Sequence, residues 1–223
     1  MTPTTICHKE IESLSKKQRV NIVNALPGVR PVVLVGTVKK RVKETDNLKP
    51  KDGNLAVFSS LVHLGSDPAL FGIFVRPEVN PKTPDTKFER QTLQNIRKHG
   101  YFTVNHIPIG DVETAHQCSA PYKSQQSEFI KSDLPCEYFK NIPAPFVESS
   151  PLAMALEFVR EEKLGENGVV FVVGALRKIR VLEDFDKDHE YLLHPQHMGT
   201  VGVFGLGSYC RIEEVARLPK AQV

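Results

Sequence analysis

Tryptophan is absent from the 223 residues and the five tyrosines are scattered, so the chain lacks the large aromatic patch on which a docking partner commonly settles. Its cysteines are few. Cys7, Cys118, Cys136 and Cys210 lie far apart with no C-x-x-C spacing, which argues against a disulfide framework or a zinc ribbon and reads as reduced thiols. No apolar run follows a basic start and none approaches the length of a membrane span, so neither signal peptide, anchor nor membrane partner is expected and a cytoplasmic location is the default. An excess of one charge is missing too. The 29 basic and 26 acidic residues are spread along the chain and leave a formal +3, which gives no reason to expect nucleic acid. The cluster Lys39, Lys40, Arg41 and Lys43 is the exception, and beside the polar stretch ETDNLKPKDG it reads as a solvated hairpin loop.

The familiar catalytic motifs are also lacking. There is no G-x-S-x-G, no P-loop and no H-E-x-x-H; GVFGLG at 202–207 has no strand-to-helix unit around it, which argues against a Rossmann site. His194-Pro195-Gln196-His197 carries a proline and no third ligand, so it reads as a polar loop and no metal is expected.

What is present is ordinary globular material, 40% hydrophobic and 25% charged, with no repeat and no composition shift to divide residues 1–223 into more than one domain. Residues 15–25 (SKKQRVNIVNA) predict a helix capped by Ser15 and stopped by Pro27-Gly28. Strands are expected at 31–38, 53–64 and 69–75, the last two separated by Ser-Asp-Pro turn chemistry and paired in sequence order. Thr86-x-x-Glu89 predicts a capped helix from Thr86, with Phe88, Thr92 and Ile96 on one face and His99-Gly100 as its stop. A strand at 101–107, short helices over 111–132 and a strand pair at 152–159 and 168–176 complete a mainly β chain with a few peripheral helices. Hairpin-length connections favour a closed antiparallel barrel over a parallel α/β sheet.

One stretch asks for a partner. In GNLAVFSSLVHLGSDP, residues 53–68, two serines interrupt an apolar strand, and in extended chain Ser59 and Ser60 point to opposite faces. Taken in order, Asn54, Ser59, Ser60, His63, Gly65, Ser66-Asp67-Pro68, Arg76, Asp85-Thr86, Asn95-Ile96 and Gly100-x-Phe102-x-x-Asn105 resemble the flavin reductase-like family with the FMN-binding split-barrel fold, whose members show an N-x-A-x-F-S run, an S-x-D-P turn, a D-T-x-x-N-I-type helix and a G-x-F-x-V-N strand. The stretch AHQCSAPYKSQQSEF, residues 115–129, is similar to that family's segment ending in Ser-x-Glu-Phe, and Gly207-Ser208-Tyr209 to its terminal Gly-x-Tyr.

The resemblance implies an antiparallel split β-barrel, a homodimer, FMN as cofactor with FAD left open, and NAD(P)H as electron donor. FMN needs an apolar wall, exposed backbone groups for the ring edge, and hydroxyls with a cation for the phosphate. Asn54, Leu55, Ala56, Val57 and Phe58 offer backbone along the ring; Ser59, Ser60 and Arg76 offer hydroxyls and a forked cation; and Thr86, at an expected helix N-terminus, is balanced between helix cap and anion contact. Gly65 removes a side chain where a ligand approaches. Asp67 and Asp85 are explained as turn and helix-start residues, Asn95 and Asn105 as groups satisfying buried backbone, and His63 as cover for a sheet edge. No side-chain acid, base or nucleophile is required, since hydride chemistry belongs to the flavin. An NAD(P)H-dependent flavin oxidoreductase is the leading expectation; an FMN electron carrier of the flavoredoxin type and a non-redox flavin-binding barrel are the alternatives. The proline-rich region 134–151 is open between a lid and a dimer arm.

Overall fold

The computed structural model describes residues 5–40, 47–80, 83–182 and 193–222. Arg41 and Lys43 of the basic cluster lie outside the described residues.

Two helices come first, α1 (His8–Ser13) and α2 (Lys16–Ala25). Ser15 caps α2 as expected, accepting the Gln18 N–H at 3.3 Å while the Gln18 side chain reaches back to the Ser15 N–H at 3.1 Å. After β1 (Arg30–Pro31), strand β2 (Val33–Val38) is buried at all six positions, which suits its run of β-branched and small residues. It is flanked by β3 (Gly53–Phe58) and β8 (Tyr101–His106). The full sheet also holds β4 (Val62–Ser66), β5 (Ala69–Val75), β11 (Leu152–Lys163) and β12 (Val170–Val181), in the order β3-β2-β8-β11-β12-β5-β4.

Every pairing in that sheet is antiparallel, so with seven strands the two edges, β3 and β4, run in the same direction. They are consecutive in the chain. The polypeptide leaves β3 at Phe58, passes through Ser59-Ser60-Leu61 and joins the far edge at Val62 without reversing. The expected single strand over 53–64 is therefore two strands, one at each edge, and the expected closed barrel is split: the sheet curls round one apolar cluster, to which its edge regions contribute Phe58 and Phe71, but β3 and β4 do not pair. The reason is local. Ser60 places its hydroxyl where a strand would place backbone, accepting the Phe74 N–H and donating to the Phe74 C=O, both at 3.1 Å.

Helix α3 (Gln91–His99) lies against β2 and β3, burying Thr92, Leu93, Asn95 and Ile96. It ends as the sequence predicts, with Gly100 at φ +73° donating its N–H to Ile96 O at 2.8 Å. Its start is a correction. Thr86 belongs to β7 (Thr83–Lys87), paired with β6 (Val79–Asn80), and the helix begins five residues further on at Gln91. The Phe88 N–H is bound to Glu78 O at 2.6 Å, so strand pairing takes the backbone that a capping box would have used, and Phe88 stays outside the helix, 39% exposed.

Helices α4 (Val112–Gln117) and α5 (Glu128–Lys131), with a small sheet of β1, β13 (Val201–Phe204) and β14 (Ser208–Arg211), cover a second apolar cluster holding Val32, Leu34, Leu55, Ile107, Phe129 and Val203. The glycine-rich 202–207 stretch is thus the β13–β14 hairpin. Region 134–151 is a hairpin of β9 (Cys136–Phe139) and β10 (Ile142–Val147), packed into the core through Ile142, Ala144 and Phe146 against Ala153 and Ala155 of β11. Gly36 in β2 allows its close approach, because a Cβ there would collide with the Pro145 carbonyl.

Candidate functional site

The alternation of a strand decides which of the proposed residues 54–58 can offer backbone to a ligand. In β3 the Gly53 C=O accepts the Ser127 hydroxyl at 2.9 Å and the Leu55 N–H is taken by Glu128 Oε2 at 3.0 Å, so the odd-numbered residues face away from β2. By that alternation Asn54, Ala56 and Phe58 spend their N–H and C=O groups on Thr37, Val35 and Val33. The Asn54 side chain is buried as well, donating to Thr92 Oγ1 at 3.2 Å under α3. That leaves the Leu55 C=O and the Val57 N–H and C=O on the outer edge. Among the described residues nothing pairs with them.

The two faces of β3 build walls beside this edge. Phe58 packs on the inner cluster and Val57 on the outer one, together with Val112 and Tyr209. Tyr209 meets His116, its hydroxyl 3.1 Å from Nδ1, at the rim.

The crossing between the edges carries the polar groups. Ser60 beside Phe74 continues the β4–β5 register in which Val62 faces Gly72 and His63 faces Phe71. The crossing is thereby tied to the end of β5, two residues before Arg76, with Ser59 next to Ser60 in the chain. Ser60 already spends its single O–H on Phe74 O, whereas Ser59 is half-buried and makes no hydrogen bond among the described residues. Arg76 is exposed and likewise has no ion pair there.

Beside it stands Arg90, a cation that the sequence reading missed. Its Nε donates to Pro77 O at 3.0 Å and its guanidinium lies over the Phe88 ring, 4.9 Å from the centroid. Burial and the nearby charge of Arg76 lower its pKa, with Glu78 opposing. Glu78 does not neutralise the pair, because both its oxygens are engaged by Arg97 at 2.8 and 3.0 Å, and Arg97 is shared with Glu161. Two arginines with no carboxylate of their own among the described residues suit an anion. A signal for Arg90 was available: it is an arginine immediately preceding the buried face of a helix. The backbone of Thr86 lies on the neighbouring hairpin.

Other candidates fall elsewhere. Gly65 sits at an irregularity in the β4–β5 register, and a Cβ there would meet only ordinary contact. His63 is exposed on edge strand β4, its ring 5.5 Å from that of Phe71. Asn95 donates to Thr37 Oγ1 at 3.0 Å. Asn105 donates to Leu34 O and accepts the Val147 N–H, both at 3.0 Å, tying β10 to the sheet. No cluster of metal-binding side chains occurs among the described residues, and no helix there is long and apolar enough to cross a membrane.

A family model described as the flavin reductase like domain matches residues 29–202. A Shewanella frigidimarina chain assigned as a flavin reductase with a split barrel domain is 31% identical, with a TM-score of 0.84 over 98% of this chain and 100% of that one. The 2-nitrobenzoate 2-nitroreductase of Pseudomonas fluorescens is 21% identical, with a TM-score of 0.74 over 98% and 96% of the two chains. Flavoredoxin of Desulfovibrio vulgaris (Miyazaki F) is 16% identical, with a TM-score of 0.68 over 87% and 92%. The last two likenesses speak for the fold alone. No curated protein matches the chain at a significant level.

Proposed function

The chain belongs to the flavin reductase-like family with the split-barrel fold, and from that premise we propose that it binds FMN on the outer edge of β3 and reduces it with NAD(P)H. The observation that carries the proposal is the presence of two unlike features on the borders of the split: a strand edge at Val57 that nothing among the described residues pairs with, and the cation pair of Arg76 and Arg90 just beyond the end of β5, where Ser60 of the crossing binds Phe74. A planar ring with an imide rim takes hydrogen bonds from the first, and a phosphate dianion takes charge from the second.

The residues fit the cofactor in chemistry as well as in number. Val57 offers one donor and one acceptor and Leu55 a second acceptor; Phe58 and Val57 offer apolar walls; Ser59 offers a hydroxyl. Within residues 54–58 the backbone of Asn54, Ala56 and Phe58 supports the edge from behind rather than touching the ring. Ser60 holds the crossing in shape, so its contribution is indirect, and the backbone of Thr86 lies in β7 rather than at a helix N-terminus, so the anion contact expected of a helix start does not apply to it. When bound, FMN supplies the hydride-accepting ring, and the protein's part is to orient it and leave one ring face open to a nicotinamide.

Anaerobic mixing of the FMN-loaded protein with NADH, then NADPH, tests the activity. Bleaching of the visible flavin band within seconds is expected with one of them. No bleaching by either, with ready reduction by dithionite, would replace the reductase by an electron carrier.

A further inference from the structure

Helix α5 has four residues, yet its first, Glu128, drives its carboxylate into the molecule and is only 7% exposed. A buried charge is costly unless it is hydrogen-bonded, so the contact it makes must matter to the local structure. That contact is the Leu55 N–H at the outer edge of β3. The segment is pinned on both sides. Ser127 Oγ donates to Pro50 O at 2.7 Å and Gly53 O at 2.9 Å, Lys39 Nζ donates to Gln126 O, and Ser132 Oγ donates to Glu128 O at 2.6 Å.

We infer that Glu128 is a positioning residue: by occupying the Leu55 N–H it ends the usable edge of β3 and fixes the register in which a planar heterocycle docks at Val57. The inference rests on the reading that this edge receives the FMN ring. A strand edge repeats every two residues, offering an N–H and a C=O at Leu55 and the same pair again at Val57. An imide rim alternates acceptor, donor, acceptor, and would find the same partners at either place. The two registers lie about 7 Å apart, two residues of extended chain. A ring docked at Leu55 would carry its phosphate away from Arg76 and Arg90, which stand at the other end of the strand. With the Leu55 N–H already taken, the free backbone donor on this part of the edge among the described residues is that of Val57. Specificity then comes from a blocked alternative as much as from an attractive site.

The test is a double-mutant cycle on riboflavin affinity, because riboflavin has no phosphate to tie it to Arg76 and Arg90, with FMN as control. Val57→Pro removes the docking donor without disturbing the β2 ladder, because that N–H faces away from it. In the parent it is expected to weaken riboflavin about tenfold. In a Glu128→Ala background, where the Leu55 N–H is open, riboflavin can slip and the same change is expected to cost it no more than about twofold, while FMN, held by its phosphate, keeps most of the penalty. Glu128→Gln keeps an acceptor oxygen and is expected to restore the tenfold penalty. An equal riboflavin penalty in all three backgrounds would leave the docking edge standing and overturn the role of Glu128. No penalty for either flavin in a parent that binds FMN would remove the edge itself, and the inference with it. Should Glu128→Ala not fold, amide hydrogen exchange on the parent decides: the Leu55 amide should exchange slowly with and without FMN, and the Val57 amide should slow only with it. Slowing of Leu55 by FMN would mean that the ring displaces Glu128 and would overturn the assignment.

Discussion

Among the described residues Arg76 and Arg90 stand together without a carboxylate that could neutralise them, since Glu78 is held by Arg97. If they receive the phosphate, Arg76→Ala should weaken FMN about ten- to a hundredfold and leave riboflavin within about twofold, because a charge-assisted hydrogen bond nets roughly 1.5–3 kcal/mol and riboflavin has no phosphate to lose. Equal weakening of both flavins, measured by fluorescence titration, would remove the arginines from the phosphate. A second residue gives a pH signature. Burial lowers the His106 pKa from 6.5 to about 4. A histidine depressed in the folded state favours folding above its unfolded pKa and loses that contribution as pH falls. Urea stability should therefore drop as pH falls from about 6.5 to about 4, by up to about 3 kcal/mol at 1.36 kcal/mol per unit, and His106→Gln should flatten that limb. Burial raises the Glu128 pKa, which works in the opposite sense and softens the same decline. At this scale the need of Ser60 for a partner was legible, because a polar group that interrupts an apolar strand must be satisfied, but the partner is the Phe74 backbone rather than a ligand, and the roles of Ser59 and Arg76 rest on the proposed site. Glu128 was not legible, since its partner is 73 positions away in sequence and a glutamate opening a short helix reads as a dipole partner.

Among the elements, residues 33–38, 69–75 and 101–106 carry their strand character in their own composition and were readable almost to their ends. The split at residues 59–61 was not, because strand composition says nothing about which neighbour a strand chooses, and one apolar run served two edges. The helix expected at Thr86 failed for a related reason: capping chemistry lost to pairing of β6 with β7, a local hairpin whose second strand, TPDTK, has no strand composition to announce it. Region 134–151, with its prolines, hid a hairpin that covers the sheet through Phe146. The crossing itself can be probed. Ser60→Ala deletes both side-chain contacts to Phe74 and should lower stability by about 1 kcal/mol, with faster amide exchange at Phe74 than in the parent. Unchanged exchange there would mean that Ser60 does not hold the edge.

The whole molecule leaves its two ends uncovered. Neither α1 nor α2 buries a single residue, and Val23, Leu26 and Val29 are 50%, 76% and 57% exposed. At the other terminus Val215 and Leu218 are 96% and 83% exposed. Apolar side chains gathered at the termini of a chain with an otherwise well-filled core suit a covering surface, and a second copy is the occupant that the family resemblance implied. Covering a leucine or valine contributes about 1.5–3 kcal/mol, so a few such residues from each copy can supply an appreciable part of a dimer's stability, though ordering the arms offsets some of it. We therefore expect light scattering at micromolar concentration to give twice the 25.0 kDa of the chain. The double change Val23→Lys and Leu26→Lys should lower that mass to one chain while leaving the circular dichroism of the sheet intact, since neither residue touches its core. FMN affinity in the resulting monomer then reports whether the β3 edge needs the second copy: if it does not, affinity stays within about twofold of the parent. A parent that already runs as one chain at that concentration would leave these apolar ends without the partner proposed for them.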